Sequence, residues 1–176
     1  MKKLRIISTV LIFALCFITH FIYEKLPCSF TALFFPVNES IWEHMKMLFT
    51  TILLYHGIEY LYLNRKRIEV NNYALSSFIS AIISIPIYLI LFLPIYYSIG
   101  ENMIITFIIL FITIGIAEYI NYKILMMNKI KYQNIIAIIG IIVCYIIFGY
   151  LTYNPPKYDL FFDTEEEKYG INDYNI

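Results

Sequence analysis

Residues Ala74–Ser98 read A-L-S-S-F-I-S-A-I-I-S-I-P-I-Y-L-I-L-F-L-P-I-Y-Y-S, twenty-five successive positions without one charged side chain. A helix rises about 1.5 Å per residue, so a run of this length covers the roughly 30 Å hydrocarbon core of a bilayer. A strand reading fails, because lipid offers no hydrogen-bond partner to an open strand edge.

Four more windows of similar character lie around it: Leu4–Tyr23, His44–Leu63, Met103–Tyr122 and Ile135–Tyr153. The expected fold is therefore all-α, a polytopic transmembrane bundle of five spans over residues 1–153, followed by an acidic tail at 154–176. Composition agrees. The 176 residues are 60% hydrophobic and 15% charged, against about 45–50% and 25% in soluble domains. A soluble chain this small could not keep so much apolar surface from water. Net charge is zero, which gives no reason to expect a nucleic-acid partner; the lipid bilayer is the partner that composition implies. Five spans also leave little room for a wide pathway, so an oligomer or a partner membrane protein is compatible with the chain.

The first window is too long for a signal-peptide core, and no small-x-small site follows it. It reads as a retained helix. Cys16, Cys28 and Cys144 are odd in number and form no C-x-x-C pair, so neither a disulfide framework nor a zinc knuckle is expected.

Orientation follows from the basic residues of the short connections. Lys2, Lys3 and Arg5 precede the first span; Arg65, Lys66 and Arg67 follow the second; Lys123, Lys129 and Lys131 surround the fourth-to-fifth connection. Five spans place all three groups on one side, expected to be the cytoplasm of a cell (inner) membrane, with the N-terminus inside and the C-terminus outside. Pro86 and Pro94 are expected to kink the third span. Ser76, Ser80 and Ser84 form a small-residue packing ridge. The tyrosines at span ends, together with Trp42, are read as an interfacial belt.

The most distinctive stretch is Pro36-Val37-Asn38-Glu39-Ser40-Ile41-Trp42-Glu43-His44. Ser40 and Glu43 spell a capping box: the hydroxyl accepts from the Glu43 amide and the carboxylate reaches back to the Ser40 amide. Asn38, Glu39 and His44 are left without a role by that reading. The run Asn38–His44, with Tyr169-Gly170-Ile171 preceded by Asp163 in the tail, resembles a family of small bacterial multi-span membrane proteins classed as a domain of unknown function. The resemblance covers most of the chain and implies that the start of the second span and the tail belong to one shared pattern. It implies no activity or cofactor.

Two constellations follow. His20, near the outer end of the first span, shares a level with Glu39, Glu43, His44, Asp159, Asp163 and Tyr169. Two imidazoles and a carboxylate suit zinc, but the spacing matches no ligand pattern. No metal is therefore assigned, and the preferred reading is a hydrogen-bonded cluster that pins the tail. Deeper, Glu59 and Glu118 lie at equal depth near the inner boundary, with His56 on the Glu59 face. Ionisable groups within spans are costly and point to function. As neighbours the two carboxyls would share a proton; otherwise they would pair with Arg65, Lys66 or Lys123. No nucleophile elbow, P-loop or zincin helix is present. Three roles remain open: a non-enzymatic accessory, sensory or structural protein (preferred), an ion-handling transporter using Glu59, Glu118 and His56, or an outer-leaflet enzyme.

Overall fold

The structure, a computed structural model, describes residues 2–100 and 102–171. In chain order the elements are α1 (Lys2–His20), α2 (Ile22–Lys25), α3 (Ser29–Phe34), α4 (Ile41–Arg65), α5 (Tyr73–Ile99), α6 (Met103–Leu125) and α7 (Gln133–Tyr153). A 3-10 turn (Asp159–Phe161) and a hairpin of β1 (Phe162–Asp163) and β2 (Lys168–Tyr169) follow, paired antiparallel with Phe162 opposite Tyr169.

Local chemistry sets the ends. Ser40 caps α4, and the Asn102 side chain caps α6 by accepting from the Ile105 amide at 3.2 Å. Gly100, at φ +77°, ends α5 in a conformation that a side chain would oppose. α5 runs continuously through Pro86 and Pro94, so neither proline ends it. The hydroxyls of Ser76, Ser80 and Ser84 are buried and donate to carbonyls of their own helix. α4–α5 and α6–α7 are two hairpins whose connections, 66–72 and 126–132, each end in a left-handed residue, Asn72 (φ 55°) and Tyr132 (φ 62°).

The side chains sort in the reverse of a soluble protein. Ile6, Ile7, Val10 and Leu11 of α1, and Ile135, Ile136, Ile138, Ile139, Ile142 and Ile146 of α7, face outward, while Arg5, Lys46, His56, Glu59, Glu118 and Asn121 are buried. Four helical stretches among the described residues are long and apolar enough to cross a membrane: Lys2–Lys25, Tyr73–Ile99, Met103–Leu125 and Gln133–Tyr153. α4 is as long but less apolar, because Glu43, Lys46, His56 and Glu59 lie along it, all buried.

α4 packs against α1 and α5, α6 packs against the same two, and α7 lies on α5. Phe78 of α5 sits where a side chain on Gly140 of α7 would point, which lets those two helices approach closely. α1 and α4 are antiparallel: Ser8 meets Tyr55, Thr19 meets Thr51 and His20 meets His44. The connections after α4 and α6 lock together at one end, where Asn72 accepts from the Ile130 amide at 2.7 Å and donates to the Asn128 carbonyl. The three basic groups thus gather at one end of the bundle and the tail at the other. Arg5 departs from its expected place: it is not a connection charge but a buried residue of α1.

Candidate functional site

At the tail end, the segment 36–40 and the tail build one another. The Asn38 side chain accepts from the Ser40 amide at 3.0 Å and donates to the Gly170 carbonyl at 3.1 Å. Asp163, fully buried, accepts from the Glu39 amide at 3.1 Å through one oxygen. Its other oxygen accepts from the Glu165 and Glu166 amides at 2.8 and 3.2 Å. The Ile171 amide donates to the Thr152 carbonyl. Gly170 has φ +60°, and a side chain there would meet the Thr152 carbonyl oxygen at 2.5 Å, so a residue without one fits. The Tyr169 ring rests on Phe162, and Trp42 is covered by Phe148 and Phe161. Trp42 therefore packs under the tail, while Tyr60, Tyr62, Tyr97 and Tyr150 are exposed near helix ends.

Only half of the expected capping box forms. Ser40 accepts from the Glu43 amide at 3.4 Å, but the Glu43 carboxylate turns inward. It pairs with Lys46 at 2.5 Å and accepts from the Thr152 hydroxyl at 2.8 Å and the Val37 amide at 3.1 Å. Lys46, also fully buried, donates to the Ala32 carbonyl at 2.7 Å and to the Thr152 hydroxyl at 2.9 Å. The reason is the buried Lys46 ammonium, which needs an anion more than the Ser40 amide needs a second acceptor.

Above this layer, His20, Glu39 and His44 converge. The two Nε2 atoms are 3.1 Å apart, and the Glu39 Oε2 lies 3.3 Å from His20 and 3.4 Å from His44. His44 Nδ1 is 2.9 Å from the Ser40 carbonyl oxygen. A carbonyl only accepts, so His44 Nδ1 carries a proton and Nε2 is the nitrogen turned to the trio. Glu39 is held well below the usual carboxylate range, first by its contact with His20 and then by that with His44, against partial burial. The three side chains stay partly open to solvent, at 23%, 39% and 29% exposure in chain order. Together they can hold a metal ion, each offering one ligand atom. Asp163 contributes through the Glu39 backbone, and Asp159 is exposed at the start of the 3-10 turn.

The opposite end holds a second cluster. Arg5 pairs with Glu59 and with Glu118 (3.1 Å) and donates to the Asn121 side-chain oxygen at 3.0 Å. His56 Nε2 is 2.9 Å from Glu118, and the Tyr73 hydroxyl is 2.7 Å from Glu59. Glu59 and Glu118 thus do not form the expected proton-sharing pair, nor do they reach Arg65, Lys66 or Lys123. The Arg5 guanidinium stands between them, and its planar fork satisfies both at once. Arg5 Nε, His56 Nδ1 and Asn121 Nδ2 are buried without a hydrogen-bond partner among the described residues.

The residues singled out in the sequence are joined by four others: Arg5, Lys46, Tyr73 and Thr152. Lys46 had a legible signal, a lysine inside a span three positions after Glu43. Arg5 had a weaker one, a helical spacing to the polar Ser8 and Thr9. Thr152 had none.

A family model spanning residues 1–171, and so both of these clusters, matches the chain. The chain belongs to DUF6512, a family of unknown function. The matched residues end at Ile171, whose amide ties the tail to Thr152. No curated protein and no solved structure matches the chain.

Proposed function

We propose that this is a five-span membrane protein, N-terminus inside and C-terminus outside, whose outer face binds a divalent transition metal through His20, Glu39 and His44. The spacing of the trio carries the reading. A tetrahedral zinc ion, with ligand bonds of about 2.0–2.2 Å, keeps its ligand atoms about 3.3–3.5 Å apart. The three separations, 3.1, 3.3 and 3.4 Å, lie within about 0.2 Å of that range. Ordinary hydrogen bonds reach about 3.2 Å, and both carboxylate-to-imidazole separations, 3.3 and 3.4 Å, are longer than that. Among the described residues no fourth side chain joins the group, so water or a ligand completes the shell.

α4 is the fifth span in this reading. Its length matches the other helices, and its charged groups are paired inside the bundle, as the bilayer requires. The basic groups gathered at one end support the inward orientation in a cell membrane. The role that follows is an accessory, sensory or structural protein with a metal-bearing cap. A second reading, a metal-dependent enzyme of the outer leaflet, is favoured by the ligand set itself: two histidines and one glutamate with an open position are the pattern of hydrolytic zinc sites. The transporter reading has less support, because Arg5 engages both Glu59 and Glu118.

Metal analysis of detergent-purified protein tests the site. Wild type is expected to carry about one equivalent of zinc, and His20→Ala and His44→Ala much less, at unchanged monodispersity. Equal zinc in all three samples, or none in wild type after growth with zinc, overturns it. A cysteine placed in the 66–70 connection should resist an impermeant thiol reagent in intact cells, and ready labelling there inverts the orientation.

A further inference from the structure

A lateral groove of 1310 Å³ opens between α4, α5 and α7. It exceeds the about 300–1,000 Å³ of sites for drug-sized ligands. Along α4 its lining runs from Asn64 to Thr50, about 21 Å at 1.5 Å per residue. That matches one leaflet of a bilayer, half of about 40–45 Å with headgroups included.

The lining changes character along this length. At the end near the basic connections stand Asn64, Glu69, Asn72, Lys129 and Gln133; further along stand Leu53, Gly57, Ala137 and Ile141. The far end is shut by Phe34 of α3 against Tyr145 of α7, ring centroids 4.7 Å apart. Gly57 faces open space, with nothing within 4 Å of where a side chain would begin. Glu69 and Lys129 are both exposed, and neither has an ion pair among the described residues.

We infer that this groove binds one glycerophospholipid of the leaflet at the basic end, with a headgroup carrying both a phosphate and a primary ammonium. Lys129 takes the phosphate, Glu69 takes the ammonium, and an acyl chain lies over Gly57 as far as the Phe34–Tyr145 closure. The chain length is set by the closure, and the headgroup by the two opposite charges. An anionic headgroup would leave Glu69 repelled, and a quaternary amine would give it no hydrogen-bond donor.

Native mass spectrometry of delipidated protein, titrated with phosphatidylethanolamine, phosphatidylglycerol or phosphatidylcholine of identical chains, tests this. Wild type should retain phosphatidylethanolamine preferentially. Gly57→Phe, which fills the groove, should weaken retention of all three lipids. The surface variants Glu69→Ala and Lys129→Ala, which leave the bundle untouched, should each lower phosphatidylethanolamine affinity about tenfold and erase the preference. Equal retention of the three lipids by wild type, indifference to Gly57→Phe in a folded variant, unchanged preference in both surface variants, or a second copy of the chain released only when lipid binds, each overturns the proposal.

Discussion

The Asn38 side-chain amide donates to the Gly170 carbonyl at 3.1 Å, joining positions 132 apart in sequence. This bond ties the most distinctive run of the chain to the end of its tail. It also fixes the backbone from which Glu39 reaches His20 and His44, since the tail's Asp163 holds the Glu39 amide.

Asn38→Ala should therefore act on both stability and the metal site. Two buried hydrogen bonds are lost, and removing a buried partner costs about 1–3 kcal/mol. Gly170→Ala should act likewise, through the contact with the Thr152 carbonyl. Thermal melting in detergent should fall for both, with zinc retention reduced in parallel. Wild-type melting in both variants would show that the tail does not brace this face.

Acid should weaken the Glu39 contribution in a defined direction. Its carboxyl is depressed in the folded protein by His20 and His44, so the stabilisation is complete above the unfolded carboxyl value of about 4.3 and is lost as pH falls through the lower folded value. In chelator-treated protein, the melting difference between wild type and Glu39→Gln should be present in weak acid and shrink as pH falls below about 4.3. With zinc present, the loss should begin at higher pH, because protons compete for the ligands. A difference that grows in acid contradicts this account of Glu39.

Arg5 is the counter-charge for two carboxylates, so removing it should be more damaging than removing either. Arg5→Ala leaves two buried anions facing His56, Tyr73 and the Ser8 hydroxyl, a loss of about 3–5 kcal/mol by analogy with broken buried pairs. Arg5→Lys keeps the charge but loses the fork and should fall between. Adding Glu59→Gln and Glu118→Gln to Arg5→Ala should recover much of the loss. Melting and yield in detergent give the readout, and an Arg5→Ala protein as stable as wild type would sink this description of the Arg5 cluster.

Much of the fold was legible because apolarity is additive along a segment. Ala74–Ser98 reads as a membrane helix whatever surrounds it, and so do the windows in α1, α6 and α7. α4 was the hard case, since Glu43, Lys46, His56 and Glu59 dilute its apolarity. Their acceptability depends on partners in other helices.

The sequence by itself determined the helical membrane character, the gathering of basic residues in alternate connections, and the two polar levels that contain His20 and His44 at one end and Glu59 and Glu118 at the other. Only the tertiary structure decided the partners: Arg5 between the two glutamates, Thr152 on Glu43 and Lys46, Trp42 under the tail, and Asp163 on the Glu39 backbone. The physical reason is range. Depth follows from counting 1.5 Å steps along one helix, whereas pairing needs the rotation of each helix about its axis and the choice of its neighbours, which are set by packing across the whole bundle.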